Sequence, residues 1–149
     1  MQSAGLHILI VDDDRMTREA TQIALTQKGC TVMTVENGKA AIEAACATKF
    51  DAAIIDLFMP DMDGLQVISA IHKIDPRLPL IAASGFMFEG GSCPEMPNFD
   101  VMAREAGAMA TLYKPFRSDA LFSKITRVID AAATATRGKE EPADRTGAV

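Results

Sequence analysis

The chain has 149 residues, 48% of them hydrophobic and 23% charged, with a formal net charge of −5, which suits one globular domain and excludes an extended disordered protein. The acidic balance argues against non-specific nucleic-acid binding, which needs a cationic surface, and no apolar run approaches the ~20 residues that span a bilayer. Met1 to Leu6 lack the charged and apolar regions of a signal peptide, so the expectation is a cytoplasmic protein with neither membrane nor nucleic acid as partner.

In chain order, Ile8-Leu9-Ile10-Val11 reads as a buried strand running into Asp12-Asp13-Asp14. Met16, Ala20, Ile23, Ala24 and Leu25 then recur near helical spacing, and Gly29 stands where that helix stops. Thr31-Val32-Met33-Thr34-Val35 alternates as a strand does, and Asn37-Gly38 turns the chain into a helix rich in small residues, Ala40, Ala41, Ala44 and Ala45. The apolar run Ala52-Ala53-Ile54-Ile55 ends abruptly in Asp56 and is closed by Pro60 and Gly64, as expected of a buried strand that delivers a carboxylate to its carboxyl end. Val67, Ile68, Ile71 and Ile74 place an apolar stripe on the next helix, which Pro76 and Pro79 terminate.

Leu80-Ile81-Ala82-Ala83 forms a fourth strand entering Ser84-Gly85. Residues 85–98, broken by Gly90-Gly91, Pro94 and Pro97, read as a long loop made unusually apolar by Phe86, Met87 and Phe88, with a short helix around Val101 to Ala106 beyond it. Ala110 to Tyr113 is a fifth strand running into Lys114-Pro115-Phe116, and Ser118-Asp119 cap a last helix with a stripe of Leu121, Phe122, Ile125, Val128 and Ile129. From Thr134 the apolar period is lost, which predicts a domain over 1–133 and a frayed tail over 134–149.

Alternating strands and helices predict an α/β fold, a parallel sheet with right-handed crossovers and helices on both faces. In such sheets ligands bind in the crevice outside the carboxyl ends of the strands. Here those ends carry Asp12, Asp13, Asp56, Ser84 and Lys114: carboxylates, a hydroxyl and an ammonium. Cys30, Cys46 and Cys93 show no metal-ligand spacing and read as reduced thiols. His7 and His72 are isolated and read as structural, and Asp14 and Arg18 have the spacing of an i,i+4 helix pair.

Four motifs in register carry a resemblance: Ile8-Leu9-Ile10-Val11-Asp12-Asp13, Ile55-Asp56 with Met59-Pro60 and Asp63-Gly64, Ala83-Ser84-Gly85, and Lys114-Pro115-Phe116. From about Leu6 to Ala132 the chain resembles the receiver domain of bacterial two-component response regulators. The resemblance implies a doubly wound, five-stranded, flavodoxin-like fold with strand order 2-1-3-4-5. It matches Asp56 to the phosphoacceptor, Asp12 and Asp13 to the acidic pair that supports Mg²⁺, Ser84 to the hydroxyl position and Lys114 to the lysine, with the backbone carbonyl of Phe58 as a further metal ligand. The implied partners are a sensor histidine kinase or histidine phosphotransfer protein, and a downstream protein that reads the face made by helix 4, strand 5 and helix 5.

The function expected is that of a stand-alone, single-domain response regulator in a phosphorelay, catalysing only its own phosphorylation and dephosphorylation. Two alternatives stand beside it. One is a receiver-shaped interaction module that is never phosphorylated; the other is a haloacid-dehalogenase phosphatase, from the D-x-D-G spacing of Asp61-Met62-Asp63-Gly64, although there Asp56 and not Asp61 takes the strand terminus. The chain departs from the family at the strand-five aromatic, where Thr111 stands and Tyr113 follows two residues later on the same strand face. Phe58 and Phe86 occupy positions that tune hydrolysis of the aspartyl phosphate in this family. Both are large and apolar, which predicts shielding from water and slower decay than in a Phe86→Glu variant.

Overall fold

Five short strands alternate with five helices. They are β1 (His7–Val11), α1 (Arg15–Gln27), β2 (Thr31–Val35), α2 (Gly38–Ala47), β3 (Ala52–Asp56), α3 (Gly64–Ile74), β4 (Leu80–Ser84), α4 (Phe99–Ala106), β5 (Ala110–Tyr113) and α5 (Ser118–Ala148). The computed structural model describes residues 5–57, 59, 63–84, 99–114 and 116–148, and for 99, 100 and 135–148 it describes the backbone alone. The expectations for Phe58, Asp61, Phe86, Cys93 and the 85–98 loop lie outside these residues.

The strands pair in parallel in the order β2-β1-β3-β4-β5. This is the doubly wound, flavodoxin-like arrangement expected from the sequence, with β1 and β3 adjacent at the point where the order reverses. Period-two alternation splits the core into two layers. Leu9, Val11, Ala53, Ile55, Leu80 and Ala82 face Ala41 of α2, Val67, Ile68 and Ile71 of α3 and Ala103 of α4. Ile8, Ile10, Ala52, Ile54, Ile81, Ala83 and Leu112 face Leu25 of α1 and Leu121, Ile125 and Val128 of α5. Both faces of the central strands are covered, which is why β3 and β4 are buried along their whole length.

Side-chain caps start three of the helices. Asp14 accepts from the Thr17 amide at α1, Asn37 from the Ala40 amide at α2, and Asp63 from the Leu65 amide at α3. The Asp14 carboxylate therefore caps its helix, and the expected i,i+4 pairing with Arg18 is replaced: Arg18 reaches the Asp12 carbonyl and Glu36 instead. Gly29 ends α1 with φ 93°, a left-handed conformation that suits glycine. His7 packs its ring against Phe50 in a tilted arrangement, and His72 packs against Gly107, where an added Cβ would meet the imidazole.

The last helix does not stop where the apolar period does. Its backbone stays helical to Ala148, past the point near Thr134 where fraying is expected. Alanines 131–133 and 135 have high helix propensity and extend a helix already nucleated against the sheet, although Gly138, Pro142 and Gly147 lie farther along it. Among the described residues no helix is long and apolar enough to cross a membrane.

Candidate functional site

The sheet's register assembles the site. Val11 pairs with Ile55, so the residues after β1 lie beside the end of β3; Asp56 pairs with Ala83, and Ser84 with Tyr113, so Ser84 and Lys114 follow on the same edge. Backbone bonds hold these ends together: the Leu57 amide donates to the Ala83 carbonyl at 2.8 Å and the Lys114 amide to the Ser84 carbonyl at 2.8 Å. The side chains predicted from the strand ends thus converge from four strands on one crevice.

Carboxylate oxygens of Asp12, Asp13 and Asp56 lie within 4.8 Å of one another, with Asp12 and Asp56 buried and Asp13 exposed. Lys114 is the cation set against them, its Nζ 2.6 Å from Asp12 Oδ2 and 3.7 Å from Asp56 Oδ1. Asp12 is doubly engaged, since its other oxygen accepts from the Asp14 amide at 2.9 Å. Asp13, by contrast, has no side-chain hydrogen bond among the described residues. Ser84 is buried at the end of β4, beside the β3 end that carries Asp56.

One lysine does not balance three carboxylates. A hard divalent cation prefers oxygen ligands and retains several waters, and this donor set of three carboxylates, one of them facing solvent, fits Mg²⁺. The N-termini of α1 and α3 open from the same edge, so the helix dipoles also favour negative charge there, although Asp14 and Asp63 already take up their capping amides.

Gly64 reads from the sequence as a chain break and as part of the Asp63-Gly64 motif, without a physical role of its own. It opens α3 directly against the site, where a Cβ would run into the Asp56 carbonyl oxygen and the Leu57 Cα, so only glycine permits this approach. An Asp-Gly pair at a helix start is the available signal. Asp63, the second acidic residue of the phosphatase-like spacing, is occupied as the α3 cap, with its Oδ1 3.0 Å from the Leu65 amide. On β5, Thr111 is half-buried and Tyr113 exposed, so the aromatic group sits one residue from Lys114.

Residues 8–126 match the family model described as the response regulator receiver domain. The transcriptional regulatory protein GlrR of Escherichia coli (strain K12) is 34% identical over 136 residues, covering 91% of this chain and 29% of GlrR. The transcriptional regulatory protein CseB of Streptomyces avermitilis is 31% identical over 143 residues, covering 95% of this chain and 57% of CseB. A CheY-like response regulator receiver domain protein from Methanospirillum hungatei JF-1 superposes with a TM-score of 0.77 at 26% identity, over 89% of this chain and 99% of that one. The chain spans under a third of GlrR and just over half of CseB. Neither the stand-alone expectation nor the exclusion of nucleic acid gains support from relatives of that length and name.

Proposed function

From the premise that this chain belongs to the response regulator receiver domain family of two-component systems, we propose that it accepts a phosphoryl group on Asp56 and thereby switches its binding to a protein partner. The observation that carries this reading is the convergence of Asp12, Asp13 and Asp56 within 4.8 Å, with Lys114 in contact with two of the three. The donor is a phosphohistidine on a sensor kinase or a phosphotransfer protein.

An Asp56 carboxylate oxygen attacks phosphorus, the P–N bond to the donor imidazole breaks, and the imidazole leaves with the electron pair and takes up a proton. Lys114, a mobile point charge, follows the oxygens of the transferred group, and the Ser84 hydroxyl donates to another of them. The Asp12 carboxylate keeps Lys114 at the crevice until then. Mg²⁺, held by Asp12, Asp13 and Asp56 with the Phe58 carbonyl as the family's backbone ligand, would neutralise the charge that gathers between carboxylate and phosphoryl group. The chain turns over no separate substrate beyond forming and hydrolysing its own acyl phosphate.

Output passes through the face of α4, β5 and α5, where Val101 and Tyr113 are exposed. A new dianionic group at Asp56 biases the segment after β4 and so reshapes that face. Incubation with acetyl phosphate and Mg²⁺, followed by intact mass measurement, tests the reading. The expected result is one phosphoryl adduct, absent in Asp56→Asn and absent without the cation. An unmodified parent chain would instead favour the module that docks without phosphorylation.

A further inference from the structure

We propose that Arg18 is a positioning residue for the acidic site, clamping the peptide that joins Asp12 to Asp13 and so setting the site's affinity for a divalent cation; this rests on the reading of Asp12, Asp13 and Asp56 as a cation site. Arg18 lies in the first turns of α1, where its amide donates to the Asp14 carbonyl at 3.0 Å. Its side chain turns back beneath the loop, and Nη1 donates to the Asp12 carbonyl oxygen at 2.9 Å. That oxygen belongs to the peptide between the two acidic residues. Nη2 lies 3.8 Å from Glu36 Oε1, next to Val35, whose carbonyl accepts from the Asp12 amide at 3.2 Å. The guanidinium therefore ties together the ends of β1 and β2.

The arginine side chain is only 16% exposed, whereas Glu36 is 70% exposed, so the exposed ion pair is the weaker contact and the shielded carbonyl bond the stronger. Asp13 has no side-chain hydrogen bond of its own among the described residues. What fixes its carboxylate is the orientation of the peptide behind it. A planar guanidinium that donates to this carbonyl with one nitrogen and lies in ion-pair range of Glu36 with the other is held from two sides and so resists rotation of that peptide more than a single ammonium would.

Two effects of Arg18 on a bound cation have opposite signs, and this makes the proposal testable. As a bare positive charge near three carboxylates, Arg18 lowers cation affinity, and its removal would tighten binding. As a clamp, it raises affinity, and its removal loosens binding. Supporting contacts behind metal ligands change affinity by about 10- to 100-fold, so the clamp is expected to dominate.

The test is calorimetric titration of Mg²⁺ into the parent chain, Arg18→Met, Arg18→Lys and the control Arg15→Ala, which removes an exposed arginine paired with Glu19 on the same helix. Expected is an affinity about tenfold weaker in Arg18→Met, at least as weak in Arg18→Lys, and within about twofold of the parent in Arg15→Ala. The rate of phosphorylation by acetyl phosphate should fall at limiting Mg²⁺ and recover at saturating Mg²⁺, a split that general loss of stability does not produce. Arg18→Lys keeps charge and stem and carries the test where Arg18→Met fails to fold. Binding as tight as the parent's in Arg18→Lys, or tighter in Arg18→Met, overturns the proposal. A parent chain that takes up no Mg²⁺ overturns the underlying reading of the site, which is a different result.

Discussion

Replacing Asp13 by Asn removes one of three carboxylates whose oxygens lie within 4.8 Å of one another. Two unit charges at that separation repel by about 3.5 kcal/mol at an effective dielectric of about 20, and by about 0.9 kcal/mol in bulk water. Asp13 is exposed, so the lower figure applies to each of its two repulsions. Asp12 and Asp13 are also neighbours in the unfolded chain, which cancels part of one of them. The cation-free Asp13→Asn protein is therefore expected to be more stable than the parent, by about 1 kcal/mol. Mg²⁺ at a hundredfold excess over its Kd would stabilise the parent by about 2.7 kcal/mol, and the variant, short of a ligand, should lose most of that gain. Urea unfolding followed by circular dichroism, with and without Mg²⁺, reads both effects as an inverted order of midpoints. An Asn variant that unfolds at lower urea than the parent in the absence of cation would refute the reasoning, because Asp13 would then be held by a favourable contact and not opposed by its neighbours.

Gly64→Ala is expected to cost about 2–4 kcal/mol, because the atoms its methyl meets are the Asp56 carbonyl and the Leu57 Cα, backbone that cannot swing away; the urea midpoint should fall and phosphorylation at Asp56 should slow with it. The side-chain and backbone hydrogen bonds from Thr17 hold the Asp14 carboxyl below its ordinary value of 3.8. Its contribution is then present above pH 3.8 and lost as the pH falls through the lower folded-state value, so Asp14→Asn, which keeps the cap without a titrating group, should show a shallower acid-side loss of stability. Burial pushes the Cys30 thiol above its ordinary value of 9.0 while Cys46 is exposed. A thiol reagent should modify Cys46 in the native protein and Cys30 only on unfolding, and the Cys30 contribution to stability, complete below pH 9.0, should decline as the pH rises through its folded-state value.

The fold is legible in the sequence because the strands are short apolar or alternating runs stopped by a polar residue, and because the segments that become α1, α3 and α5 keep helical spacing. The spacing of Val67, Ile68 and Ile71 by itself announces the buried face of α3, and that of Leu121, Ile125 and Val128 the buried face of α5. The site is legible for the same reason, since a parallel sheet places all carboxyl ends on one edge. Arg18 reads wrongly as a partner for Asp14 because helical spacing reports only neighbours on one helix. A long side chain that turns back under its own N-terminus to a carbonyl six residues earlier leaves no periodic trace. The extension of α5 escapes for a related reason: apolar period signals a packed face, and a helix that runs past its packed face leaves no such period, least of all where Gly138, Pro142 and Gly147 interrupt it.

The displacement of the aromatic group on β5 follows from the same strand geometry. Thr111 pairs with Ala82, two residues back from the end of β4, whereas Tyr113 pairs with Ser84 at its very end. Both point to the same side of the sheet, yet only Tyr113 stands 44% exposed, while Thr111 is half-buried among its neighbours. An aromatic ring at the Thr111 position would have to exchange one packed environment for another, which couples the site to the surface through side-chain rotation. Tyr113 is tied to the site through the backbone, because the amide of the next residue, Lys114, is bonded to the Ser84 carbonyl. Lys114, 2.6 and 3.7 Å from its two carboxylates, is separated from this exposed ring by a single peptide. Among the described residues, β5 therefore joins the lysine that contacts Asp12 and Asp56 to an exposed aromatic ring in consecutive positions.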